Sequence, residues 1–248
     1  MRTPTASELL QAWERGGEYG AAARSLVLLR LCSDEPDDEV LAHVPLGRRD
    51  ALLLQLYARL FGRRLDGVAQ CPVCHARVEI GFDADALRVV RTDDVDAPRA
   101  RELRMPDESL QIRFRVADCS DLLALQSCTD VAEARRVLLQ RCVIELKKDS
   151  ALAPVDTLSS SAQAALAKAM ADADPQADLQ LMLTCPDCAH NWSPLFDIAC
   201  FLWRQLHAWA LRLLRDVDTL ARVYHWSEAE ILAMTPRRRQ AYLEQCVS

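Results

Sequence analysis

Two short cysteine pairs carry the most specific chemistry in this 248-residue sequence, Cys71-Pro72-Val73-Cys74 and Cys185-Pro186-Asp187-Cys188. In each, one tight turn aims two thiolates at a common point, and two such pairs supply the four sulfurs of a closed tetrahedral zinc site. The flanks read as strand, metal turn, strand: Gly67-Val68-Ala69-Gln70 before the first pair and Val78-Glu79-Ile80-Gly81-Phe82 after it, then Leu179 to Thr184 and Asn191 to Phe196 around the second. The pattern predicts one four-cysteine zinc ribbon, two small hairpins facing each other across an ion, with Cys71, Cys74, Cys185 and Cys188 as metal ligands.

Other chemistries use the same spacing. A thioredoxin-like redox site needs its first cysteine at a helix start, where the dipole lowers the thiol pKa, and the residues after Cys74 are strand-like. Chance pairs without metal are the blander alternative. Metal turns of this kind usually carry glycine just after the second cysteine, and His75 and Ala189 stand there instead. His75 and His190 could replace a sulfur, although four cysteines already complete the shell.

The elements that must hold these turns are mainly helical. A capping box at Thr5-Ala6-Ser7-Glu8 opens a first helix, Ala21 to Cys32 forms a second, and Leu53, Leu56, Tyr57 and Leu60 define a third over Ala51 to Phe61, closed by Gly62. Arg48, Arg49 and Asp50 are expected in the solvent-facing loop before it, and the acidic run Ser33 to Glu39 in a solvated loop. Residues 75–184, 110 in all, separate the cysteine pairs, too many for a ribbon loop, so they form an inserted α/β subdomain. Within it Leu110 to Val116 alternates as a strand with Leu110, Ile112, Phe114 and Val116 inward. Helices follow over Ser120 to Ser127, Ala132 to Glu145 and Ser161 to Ala173, the last capped from Ser159-Ser160-Ser161. After the second hairpin a stripe from Ile198 through Leu202, Leu206, Trp209, Leu213, Val217 and Leu220 to Tyr224 marks a long packing helix. Two short helices close the chain, one from a Ser227 to Glu230 capping box and one from Thr235-Pro236. Trp203, Trp209, Trp226 and Tyr242 read as core or interface aromatics.

The expected architecture is therefore α+β and mainly helical: a helical segment at 1–66, a split ribbon at 67–82 plus 179–196, the insert at 83–178 and a helical segment at 197–248. A net charge of −6 argues against a broad phosphate-binding surface. Local exceptions are the arginines Arg88, Arg91, Arg99, Arg101 and Arg104, and Arg237 to Arg239, which motivate a nucleic-acid-binding zinc-ribbon module as the alternative function. No apolar leader opens the chain and no apolar run is long enough to span a membrane. The six remaining cysteines, Cys32, Cys119, Cys128, Cys142, Cys200 and Cys246, read as reduced core thiols of a cytoplasmic product. No serine elbow, phosphate loop or His-Glu-x-x-His is present, and a four-thiolate zinc has no open position for substrate, so an enzyme is not expected.

Several runs together resemble a known family. They are Pro45-Leu46-Gly47-Arg48-Arg49-Asp50-Ala51-Leu52-Leu53-Leu54, Leu60-Phe61-Gly62, the two Cys-Pro-x-Cys turns, Trp192 with Phe196-Asp197-Ile198, and Tyr224 to Leu232 through Arg238 to Leu243. The sequence is similar in these to the T4-type phage baseplate proteins, relatives of which are encoded in gene clusters for phage-tail-like contractile injection systems. The likeness extends from roughly Ala21 to the end and is weakest in the insert. It implies a structural or assembly role in a contractile tail baseplate, with other baseplate, hub, spike or tube proteins as partners, and neither catalysis nor a small-molecule substrate.

Overall fold

The computed structural model describes residues 2–33, 37–89 and 100–246. Helices α1 (Ala6–Gly17) and α2 (Ala21–Cys32) pack against each other, followed by the short α3 (Asp38–Ala42) and by α4 (Leu46–Phe61). The Thr5 capping box forms as expected: the Thr5 side chain accepts from the Glu8 N–H, and Glu8 accepts from the Thr5 N–H at 2.8 Å. Asp37 caps α3, so the acidic run is part helix, and its residues 34–36 lie outside the described residues. Gly62, at φ 91°, ends α4 in a conformation that a side chain would strain.

α4 begins five residues earlier than the periodicity of its leucines suggested. Arg49 and Asp50 are consequently buried at 7% and 6% exposure, not solvent-facing, and they bond to each other at 2.7 Å. Arg49 also reaches the Ser25 hydroxyl at 3.4 Å. Burial pushes the Asp50 carboxyl up to about 6 despite the guanidinium beside it.

The first hairpin pairs β1 (Arg64–Gln70) with β2 (Arg77–Asp83) from Arg64↔Asp83 to Gln70↔Arg77. A four-stranded antiparallel sheet follows in the order β3 (Arg101–Met105), β4 (Leu110–Phe114), β5 (Val143–Lys148) and β6 (Ala151–Leu152). Between β4 and β5 lie α5 (Cys119–Leu125) and α6 (Val131–Cys142). Two expectations are corrected here. The helix predicted to Glu145 stops at Cys142, and the chain passes directly into β5; the strand predicted to Val116 ends at Phe114. Of the predicted inward set, Leu110, Ile112 and Phe114 are buried and are covered by Leu158, Ala162 and Leu166, the last two on α7 (Ser160–Ala173), whereas Val116 lies beyond the strand and is only half-buried.

The second hairpin, β7 (Leu183–Thr184) with β8 (Asn191–Trp192), is shorter and is extended by a Gln180↔Leu195 bridge. It leads into α8 (Ile198–Tyr224), on which α9 (Glu228–Leu232) and α10 (Pro236–Cys246) fold back. The main core joins Leu28 and Leu29 of α2, Leu53, Leu54 and Leu56 of α4, and Ile198, Leu202 and Leu206 of α8. Each such leucine contributes roughly 1.5–3 kcal/mol by leaving water. The sheet and α7 make a second core, while Cys119 of α5 belongs to the first. Among the described residues, no helix is long and apolar enough to cross a membrane.

Candidate metal centre

The two thiol turns have the same backbone wiring. Cys71 N–H donates to the Ala76 carbonyl at 2.9 Å and His75 N–H to the Cys71 carbonyl at 3.0 Å. In the second turn Cys185 N–H donates to the His190 carbonyl at 2.9 Å and Ala189 N–H to the Cys185 carbonyl at 3.0 Å. His75 and Ala189 adopt φ 60° and 57°, the left-handed region that explains why glycine suits this position. The turn keeps its shape without glycine and carries the steric cost.

The turns bring all four sulfurs to one point. Cys71 Sγ lies 3.7 Å from Cys188 Sγ, Cys74 Sγ lies 3.5 Å from Cys185 Sγ, and all four fall within 4.8 Å of one another. A tetrahedral ion with sulfur bonds of about 2.3 Å separates its ligands by about 3.8 Å, so the cluster fits such an ion. Disulfide sulfurs would lie about 2.05 Å apart, and all ten cysteines are free. Cys71 and Cys185 are buried beneath Val78, Ala76, Ile80 and Trp192, whereas Cys74 and Cys188 face solvent. Neither histidine joins the cluster: it comprises the four cysteines, and His190 stacks against Trp192.

The turns also tune the thiols. The Cys74 N–H, with that of Val73, holds the Cys71 thiol down at about 7. At Cys74 the Ala76 N–H lowers the pKa, but the neighbouring thiols Cys185 and Cys188 outweigh it and push the group up to about 12. Four thiolates so close repel one another, and a cation removes that repulsion. The redox alternative fits poorly, because Cys71 starts no helix and its low-pKa sulfur is fully buried.

Among the described residues, several arginines of the basic stretches are engaged within the chain. Arg104 bonds to Glu102 at 3.1 and 3.2 Å, Arg88 lies 3.9 Å from Asp85, and Arg239 is buried 3.8 Å from Asp216. Arg238 lies over the Tyr242 ring, while Arg91 and Arg99 lie outside the described residues. Of the remaining thiols, Cys32, Cys119 and Cys142 are core residues, Cys128 and Cys246 are half-buried, and Cys200, expected inside, is exposed on the solvent side of α8.

A family model described as T4 bacteriophage base plate protein matches residues 7–203, most of the chain and both thiol turns. The chain belongs to that baseplate family. It is thereby a structural baseplate component. The match begins ahead of Ala21 and ends within the first two turns of α8, so the terminal run from Tyr224 to Leu243 lies beyond it. No curated protein and no solved structure matches the chain.

Sequence reasoning missed a set of polar residues that tie elements together elsewhere in the fold. The Asp174 carboxylate accepts from the Gly47 N–H at 2.8 Å, and Gln176 bonds both Val89 and Leu87. Asp121, fully buried, accepts from Arg115 at 2.6 and 2.8 Å and from Arg141 at 2.7 Å. The one available signal was Gly47, a glycine within a helix, where it needs a packing reason.

Proposed function

We propose that this protein is a non-enzymatic structural or assembly component of a contractile phage-like tail or injection-system baseplate, stabilised by one structural zinc on Cys71, Cys74, Cys185 and Cys188. The observation that carries the reading is the convergence of four sulfurs from two cysteine pairs separated by 110 residues, in a chain of the baseplate family. An all-thiolate shell selects soft, tetrahedral ions and leaves no position for water or substrate, so the metal supplies rigidity. In this reading residues 67–82 and 179–196 are the split ribbon, 83–178 the inserted subdomain, and 1–66 and 197–248 the helical body; the separate core under the four-stranded sheet supports the division. Synthesis is cytoplasmic, and the partners are other baseplate, hub, spike or tube proteins.

Metal analysis of the purified full-length protein tests this directly. The expected result is about one zinc per chain, lost in Cys185→Ala. Because loading requires thiolates, zinc retention should fall as the pH drops, as protons compete for sulfur. Full zinc content in Cys185→Ala, or none in the wild type, rejects the ligand set. Co-purification with tail or baseplate proteins expressed from neighbouring genes tests the assembly role.

A further inference from the structure

The sheet and α7 have their own core, yet they are fastened to the main body at a small buried junction. The Gln176 side chain, 6% exposed, accepts from the Val89 N–H at 2.7 Å and donates to the Leu87 carbonyl at 3.3 Å. It thereby joins the segment leaving the first hairpin to the one returning after α7. Two residues earlier, Asp174 accepts from the Gly47 N–H in the first turn of α4 at 2.8 Å. The fit there is tight: a Cβ on Gly47 would stand 1.8 Å from Asp174 Oδ1. On the other side of the same loop, Leu46 N–H donates to the Ala117 carbonyl at 3.0 Å, and Pro45 bridges Asp118.

We propose that Asp174 and Gln176 form a clasp that fixes the sheet and α7 on α4 independently of the thiol cluster. The metal turns then hold the two hairpins together, while the clasp sets how the intervening residues sit on the helical body. Opening the clasp loosens that unit where it meets α4 while both hydrophobic cores and the Leu46–Ala117 contact persist. Gly47 is the residue that makes the junction possible, because a carboxylate can close on its backbone only where no side chain intervenes.

Amide hydrogen exchange on the full-length protein reads this out. In Gly47→Ala, exchange over 84–89 and 173–178 should rise roughly tenfold, about the effect of one lost buried hydrogen bond, while 110–114 and 198–206 stay protected. Gln176→Ala should loosen 46–49, to which it makes no bond, by a similar factor. The double variant Gly47→Ala/Asp174→Ala should be no looser than Asp174→Ala alone, since the two residues act through one contact. Chelation should speed exchange over 64–83 and 179–195 and leave 46–49 protected. The clasp is overturned if chelation deprotects 46–49 as strongly as the hairpins, or if both single variants leave the remote segments unchanged. If chelation changes nothing, the zinc assignment fails while the clasp variants still give their answer.

Discussion

At the scale of single residues, the thiol turns pair close sulfur placement with an unfavourable backbone. His75 and Ala189 hold φ 60° and 57°, which costs a side-chain-bearing residue about 1–2 kcal/mol that glycine avoids. His75→Gly and Ala189→Gly should each raise stability by roughly 0.5–1 kcal/mol, after the entropy glycine loses on folding, with zinc content unchanged; denaturant titration checks both. A drop in either would mean that the side chain contributes packing that the turn needs. The cysteines themselves were readable from spacing alone, because two residues between thiols is a geometric requirement of the turn. Arg49 and Asp50 were not, since adjacent charges ordinarily point to water. Here they satisfy each other within the core, and nothing in their local sequence signals that Ser25 of a different helix will close over them.

At the scale of elements, the helix starts, the strands beside the cysteine pairs and the Leu110 strand are legible in the sequence, whereas the passage into β5 is not. Capping boxes at Thr5 and Ser227, and the long stripe of α8, are local signals that the fold retains. The passage from α6 into β5 has no turn residue; Val143 changes from helix to strand because Phe114 is there to pair with it. Such a pairing is a tertiary fact, outside the reach of periodicity. The β4–α5 junction rests on Asp121, whose desolvation is outweighed by Arg115 and Arg141, so its carboxyl is held down at about 2. A depressed carboxylate stabilises the fold above its unfolded pKa of about 4, and that contribution fades as the pH falls towards the folded value. Asp121→Asn should therefore cost roughly 2 kcal/mol at neutral pH and almost nothing near pH ~2, as followed by thermal melts across that range. A cost that stayed constant with pH would assign the effect to packing instead of charge.

At the scale of the whole molecule, the energies separate two kinds of integrity. The ribbon has two hairpins, one of them with two-residue strands, and a structural zinc of order 10 kcal/mol would dominate its stability. The helical core is built mainly by aliphatic packing between helices: Leu53, Leu54, Leu202 and Leu206 are almost fully buried among α2, α4 and α8. Chelation should consequently disorder the hairpins while most helical signal in far-UV circular dichroism survives, whereas Leu202→Ala should cost about 2–5 kcal/mol with zinc still bound. Collapse of all helical signal on chelation would show that the two are one cooperative unit.

The 27 residues of α8 start at Ile198, capped by Asp197 just after the second hairpin, and end at Tyr224, which stacks on Trp226 at 4.4 Å beside Tyr242. A helix of that length is about 40 Å from end to end. It acts as a lever: swinging its hairpin-side base by about 10° would sweep the aromatic tip through about 7 Å, more than one helical turn. Small errors in the angle at which the hairpins set that base would thus be magnified at the aromatic end of the helix.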